Sequence, residues 1–377
     1  MNFIVSSSAL LKHAARVAGV IPSRAVLPIT ENFLFEVGKN VLEISTTNLD
    51  ISMKTSLSIE ARGKGIKVAI PAKMLLEILK ALPEQPITFS VNEENFAIEI
   101  SSEFGRYKLS GENGEDFPKI PVAENTHSIA MPVSSLQKAI AKTAFAAAND
   151  EDKAALSGIF FHLTKKNITF AATDAHRLVR YRRTDITASE NTSFIVPQKA
   201  LNLVKNAFEQ GDEAVTVEYN DNNAFFRTRE VLFVCRLIDQ KYPDYENVIP
   251  TDNPSKLIAN RKDLLGALRR VNIFANKTSH QVRFKVSGSE LTLSAEDLDF
   301  ANEAKETLKC HYEGNDVEIG FNASLLIEIV SNADTDEVLV ELSTPNRAGI
   351  ILPSEQEEGE NLLMLVMPVM LNTYVGA

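Results

Sequence analysis

Apolar and polar residues alternate in the same way at three places in the chain. Phe33–Ser45 reads FLFEVGKNVLEIS, Ile159–Ala171 reads IFFHLTKKNITFA, and Val282–Ser294 reads VRFKVSGSELTLS. Each is an alternating strand, a short polar turn and a second alternating strand, which predicts a β-hairpin. The three start 126 and 123 residues apart. Elsewhere the apolar period lengthens to that of a helix. Ile70–Leu82, Val196–Phe208 and Phe321–Ala333 form one set of predicted amphipathic helices; Ser7–Ala18, Val133–Ala148 and Arg261–Phe274 form another. Strand pairs such as Ile87–Ser90 with Phe96–Ile100, and Val215–Glu218 with Ala224–Arg227, complete the pattern. One copy therefore reads helix, hairpin and further strand, second helix, second set of strands.

Solenoid repeats run only about 20–50 residues, so this step means three copies of a whole domain. Proline-marked segments, FPKIP at Phe117–Pro121 and YPDYENVIP at Tyr242–Pro250, place the boundaries. The expected domains are 1–121, 122–250 and 251–377. Two helices backed by antiparallel sheet make each an α+β domain.

Composition supports three folded copies. The chain is 44% apolar and 24% charged, and no long low-complexity run interrupts it. The start, MNFIVSSSALLKHAARVAG, has no basic region before an apolar run, so no signal peptide is expected. No stretch approaches the roughly 18 apolar residues of a membrane helix. Cys235 and Cys310 stand 75 residues apart, which fits a reducing cytoplasm and offers neither a disulfide framework nor a cysteine-based metal site.

Charge sharpens the picture. The chain totals −11, which taken alone argues against nucleic-acid binding. The six predicted helices, however, hold twelve basic residues against Glu77, Asp263 and Glu328, a net of +9 that leaves −20 elsewhere. Lys12 with Arg16, and Lys138 with Lys142, are spaced i,i+4 and so share a helix edge. Arg16, Lys142 and Arg270 fall at matching points of the three copies. A solvated helix face explains any one pair; recurrence in register favours contact with a phosphate backbone.

Catalytic chemistry is hard to find. There is no phosphate loop, since ARGKGIK at Ala61–Lys67 lacks its spacing and hydroxyl. Neither H-E-x-x-H, C-x-x-C nor G-x-S-x-G occurs, and the six histidines show no ligand spacing. The best catalytic candidate is Thr173-Asp174-Ala175-His176-Arg177, with His176 as base and Asp174 orienting it. Residues two apart on one strand rarely point so that one orients the other, and no activated serine is evident. A structural or binding role is the stronger reading. The matching points, TTNLD at Thr46–Asp50 and AEDLD at Ala295–Asp299, lack the histidine and arginine. A hydrolase would need a carboxylate or histidine cluster, and a tandem adhesion protein would not concentrate cations on helices.

Several of these segments carry a resemblance. Arg24 with Leu27-Pro28-Ile29, the TDAHRL run at Thr173–Leu178, YPDY at Tyr242–Tyr245, and Val366-Met367-Pro368 near the end together resemble the bacterial DNA polymerase III beta subunit family, the sliding clamps. The match runs end to end. It implies a non-catalytic processivity factor of the cytoplasm, without cofactor or metal and without a membrane partner. Its fold would be three tandem clamp domains, and a head-to-tail homodimer would close six domains and twelve helices around duplex DNA. Twelve helices about 10 Å apart give a circumference of roughly 120 Å and an axis-to-axis diameter of about 38 Å. Removing one helix width of about 10 Å leaves an opening of roughly 28 Å, enough for a hydrated duplex.

The resemblance also assigns residues. For sequence-independent DNA contact it implies Arg24 and the helix cations Lys12, Arg16, Lys73, Lys138, Lys142, Lys199, Arg269 and Arg270. For the contact between subunits it implies Tyr107 and Leu109 against Ile273 and Phe274, with Lys73 and Glu303 as flanking charges. For a groove that takes short linear peptides from the polymerase III catalytic subunit, the clamp loader, other polymerases and repair proteins it implies Leu156, Thr173, His176, Arg177, Leu178, Pro243, Val248, Val366, Met367 and Pro368. Asn247 stands where an arginine is frequent, Met370 where a basic residue is common, and Ala154-Ala155 where tyrosines occur; Asn372–Ala377 extend beyond the usual end.

Overall fold

A computed structural model describes residues 1–208 and 213–371. The extension Asn372–Ala377 lies outside the described residues. The chain divides into two compact units, Met1–Gln137 with Lys199–Asp239, and Lys138–Gln198 with Gln240–Ala377.

All six predicted helices form: α1 (Ser7–Val17), α2 (Ala72–Ala81), α3 (Val133–Thr143), α4 (Gln198–Ala207), α5 (Arg261–Asn272) and α6 (Ala323–Ser331). Three of the starts are set by side chains that accept otherwise unpaired backbone N–H groups, whereas α2 begins after Pro71 without such a cap. Ser6 does so for α1, Asn260 for α5 and Asn322 for α6. In α1 the buried positions are Ser7, Leu10, Ala14 and Val17, and in α5 Leu264, Ala267, Leu268 and Val271, the spacing that the sequence predicts. α3 is the exception in length. It stops at Thr143 instead of running to Ala148, and a 3-10 turn follows at Ala144–Ala146. There Thr143 Oγ1 donates back to the Ala139 carbonyl at 2.7 Å, a local bond that competes with continuing the helix.

The first unit holds two antiparallel sheets. One has five strands in the order Glu60–Arg62, Asn2–Ser6, Pro86–Val91, Ala97–Ser101, Arg106–Ser110. The other has nine. Five of these come from copy one, ending at Ile51–Ser58, and four from copy two, beginning at Val231–Arg236. The seam between the copies is an ordinary ladder, in which Cys235 faces Ile51 and Val231 faces Thr55.

The second unit repeats this plan. Four strands of copy two, ending at Arg177–Arg183, continue into five of copy three, beginning at Glu360–Val366. Arg177 faces Val366, and the pairing runs on to Arg183 facing Glu360. A four-stranded sheet, Asn302–Lys309, Glu290–Asp297, Gln281–Ser287, Val317–Asn322, completes the unit. The predicted hairpins form as adjacent strand pairs within these sheets. Fully buried phenylalanines such as Phe33, Phe35, Phe161, Phe170 and Phe284 anchor them, each contributing about 1.5–3 kcal/mol by burial.

Candidate functional site

The segment Thr173–Arg177 turns the hairpin between Ile168–Thr173 and Arg177–Arg183. Asp174 makes the turn. Its Oδ1 accepts from the amides of His176 and Arg177, both at 2.9 Å. Thr173 Oγ1 accepts from the Ala175 amide, and Ala175 sits at φ 79°, the left-handed region. His176 is exposed and takes no catalytic geometry; its carbonyl accepts from the Met367 amide at 2.8 Å.

Arg177 is 7% exposed and spends its guanidinium on three partners. Nε donates to Asp174 at 3.0 Å, Nη1 to Glu328 at 2.8 Å, and Nη2 to the Phe145 carbonyl at 2.6 Å. The Phe145 ring also lies 5.3 Å from the guanidinium carbon. This arginine fixes the turn against its surroundings and is not offered to a ligand.

Beside the turn opens a groove of about 870 Å³. Seven of the ten predicted groove residues line it: Leu156, Thr173, Arg177, Leu178, Pro243, Val248 and Met367. Three do not. Val366 is fully buried in its strand, His176 lies outside on the turn, and Pro368 follows Met367 away from the lining. The sequence reading missed Tyr245, Asn346, Arg347, Ala348 and Leu365, which also line the groove. Tyr245 stood in the YPDY motif. The others belong to a turn and a strand that only tertiary pairing brings here.

The outer wall, Tyr242–Pro250, is tied down by Glu246, whose carboxylate takes Arg180 at 3.0 Å and Arg182 at 2.7 Å. Tyr242 stacks on Phe160 with ring centres 4.6 Å apart. Burial first, then the nearby Glu246 charge, pushes the Tyr245 phenol up to about 12. The groove is therefore apolar at its centre, with walls whose charges are mostly spoken for.

Several of the basic helix positions carry partners within the chain. Arg16 Nη1 meets Glu230 at 2.8 Å, and its side chain is only 5% exposed. Lys142, 6% exposed, donates to the Asn332 carbonyl at 2.6 Å and meets Asp334 at 2.5 Å. Arg270 grips Glu306 with two bonds of 2.8 and 2.7 Å. Lys138 reaches Glu360 at 2.8 Å and Glu357 at 3.1 Å. Burial alone would lower its ammonium, but the two carboxylates outweigh that and hold it above its ordinary value. All three matched cations thus meet carboxylates from other elements, which helix periodicity could not reveal. Arg24, Lys12, Lys73, Lys199 and Arg269 are exposed.

Of the residues expected at a subunit contact, Ile273 is 64% and Phe274 40% exposed just past α5. Tyr107 and Leu109 lie on Arg106–Ser110, the last strand of the five-stranded sheet, and Leu109 is 7% exposed, packed within its own chain. Lys73 and Glu303 are exposed. Among the described residues no group of three or more His, Cys, Asp or Glu side chains is placed to hold a metal, and no helix is long and apolar enough to cross a membrane.

Sequence models of the DNA polymerase III beta subunit match throughout: the N-terminal domain over residues 1–121, the central domain over 130–244 and the C-terminal domain over 246–369. The beta sliding clamp of Vibrio cholerae serotype O1 is 27% identical over 372 residues, covering 98% of this chain and 100% of that protein. That of Pseudomonas aeruginosa is also 27% identical with the same coverage. A crystal structure of the DNA polymerase III subunit beta from Pseudomonas aeruginosa superposes with TM-score 0.93 at 27% identity, over 98% of this chain and 100% of that one. The corresponding Thermotoga maritima structure gives 0.89 at 26% identity, over 98% and 99%. The chain belongs to the DNA polymerase III beta subunit family, the sliding clamps, and its role is that of a non-catalytic processivity factor in DNA replication.

Proposed function

We propose that two copies of this chain join head to tail in the cytoplasm into a six-domain ring around duplex DNA, and that the groove beside Thr173–Arg177 docks its clients. The domains would be 1–121, 122–250 and 251–377, a division supported by the extents of the three family matches. One observation carries the ring. Within the chain, the strand that ends each copy pairs with the strand after the hairpin of the copy before it, and both seams use the same register. Cys235 faces Ile51 in the first, Val366 faces Arg177 in the second. Two strands of the same kinds are left at sheet edges, Arg106–Ser110 of copy one and Asn302–Lys309 of copy three. Unpaired edges are templates for another strand. A contact joining different surfaces closes into a ring when its rotation fits.

Carrying the register over sets Leu109 of one subunit opposite Asn302 of the other, and Tyr107 opposite Ala304. Exposed Ile273 and Phe274 then become contact residues. Light scattering should report a dimer for the wild type and folded monomers for Phe274→Asp. A disulfide should also form between Tyr107→Cys and Ala304→Cys introduced into one Cys310→Ser chain. A Phe274→Asp chain that remains dimeric would refute this contact.

For DNA, ring topology does the tethering and the contacts stay sequence-blind. The exposed Arg24, Lys73, Lys199 and Arg269 support this role more directly than the ion-paired Arg16, Lys138, Lys142 and Arg270, and exposed Lys12 shares the α1 edge with Arg16. For clients, namely the polymerase III catalytic subunit, clamp loader, other polymerases and repair proteins, the apolar centre formed by Leu178, Pro243, Val248 and Met367 suits one or two anchor side chains. A peptide with a glutamine followed by a leucine- and phenylalanine-containing tail should bind at about micromolar strength. It should fail on Met367→Ala, Val248→Ala, a pair chosen because both side chains are exposed.

A further inference from the structure

We infer that Arg347 makes the groove selective for peptides that carry a carboxylate. This rests on the reading of the groove as a peptide site and adds a chemical class to it. Two guanidinium groups line the groove, those of Arg177 and Arg347. Arg177 is buried and its donors go to Asp174, Glu328 and the Phe145 carbonyl. Arg347 differs in every respect. It stands in the turn Thr344–Arg347, closed by its own amide donating to the Thr344 carbonyl, and its side chain is 36% exposed. Its guanidinium pairs with the carboxylate of Asp252, which is 74% exposed and contacts a single guanidinium nitrogen, Nη2.

An ion pair that open to solvent holds its partners only weakly. A planar guanidinium presents five N–H donors in a fork that fits a carboxylate two-point. An incoming Asp or Glu side chain can therefore share or displace Asp252 at small cost. The same carboxylate beside the other charged lining groups would gain nothing, since Asp244 and Glu246 would repel it. Apolar anchors at the groove centre would then fix the peptide, and Arg347 at its end would read the charge.

The test uses a fluorescein-labelled peptide bearing a glutamine and two apolar anchors, with each remaining position made Asp or Asn in turn, and anisotropy on the full chain. With the wild type, Asp at one position should bind about tenfold more tightly than Asn, the factor that 1.4 kcal/mol represents. Added salt should narrow that ratio. In Arg347→Ala the ratio should fall to one while the Asn peptides bind as before, and in Arg347→Glu it should invert. Asp252→Asn, which removes the competing carboxylate, should raise affinity for the Asp peptide alone. A wild type indifferent to Asp against Asn, or an unchanged ratio in Arg347→Ala, would overturn the role of Arg347 and leave the groove standing. Undiminished binding of every peptide to Met367→Ala, Val248→Ala would overturn the groove itself.

Discussion

The turns at Thr47–Ile51 and Thr173–Arg177 share a backbone and differ in what they do. In the first, Asn48 Oδ1 accepts from Asp50 and Ile51; in the second, Asp174 Oδ1 accepts from His176 and Arg177. Thr47 and Thr173 each cap the residue two on. Leu49 at φ 82° matches Ala175 at φ 79°. Even the bond to the next copy is the same, the Arg236 amide to the Asp50 carbonyl at 2.9 Å and the Met367 amide to the His176 carbonyl at 2.8 Å. The side chains then part company. Ile51 packs into the core at 7% exposure, where Arg177 instead ties three partners together. Leu49 is a bulky apolar group where Ala175 is small and lines a groove. Repetition supplied the scaffold, and a few side chains at one turn converted it from a joint into a site.

Exchanging the two key residues should break this contrast most severely in one direction. Ile51→Arg would bury a cation with no prepared partners, and should cost about 3–5 kcal/mol in chemical denaturation. The reverse change, Arg177→Ile, should cost less, about 1–3 kcal/mol. Glu328, half exposed, can return to water, leaving chiefly Asp174 and the Phe145 carbonyl short of a donor. A larger loss for Arg177→Ile than for Ile51→Arg would mean that the first turn has latent partners for a cation.

A smaller effect separates the Asx residues. Asn48→Ala should lower stability by about 1 kcal/mol, the value of a local capping bond. Asp174→Ala should lower it further, because it also takes the carboxylate from Arg177. Equal losses would show that the Arg177 pair contributes nothing.

The smallest effect is in pH. The Arg16 guanidinium holds the Glu230 carboxyl below its ordinary value of 4.5, and Arg270 does the same to Glu306. A carboxyl that gives up its proton more readily when folded stabilises the fold above that ordinary value. The contribution disappears as pH falls below about 4.5. The Arg16–Glu230 pair is partly solvated, so its gain is under about 1 kcal/mol. The melting temperature of Glu230→Gln should trail the wild type at pH 7 and converge with it towards pH 3. A gap that persists in acid would point to packing and not to charge.

What could be read from the sequence follows from distance along the chain. Helices and hairpins came through because their periods are local, and Leu10, Ala14 and Val17 announce a buried face within one helix. The seams did not. Ile51 and Cys235 are partners across more than 180 residues, and nothing in either strand names the other. The same blindness hid Asp334 from Lys142 and Glu230 from Arg16. Most of the groove came from resemblance, but Asn346 and Arg347 sit in a turn, Thr-Pro-Asn-Arg, whose composition says only that the chain bends.

Because copy two lends strands to two different sheets, no copy can be cut out cleanly. A fragment ending at Pro250 would strip Arg177–Arg183 of Glu360–Val366 and expose a long row of unpaired backbone groups. Such an edge seeks any strand available, including one from another unfinished chain. During synthesis the ribosome must release Glu360–Val366 before the second seam can zip. Folding of this protein is therefore expected to be slow and strongly cooperative, with the least safe interval just before the last strand emerges.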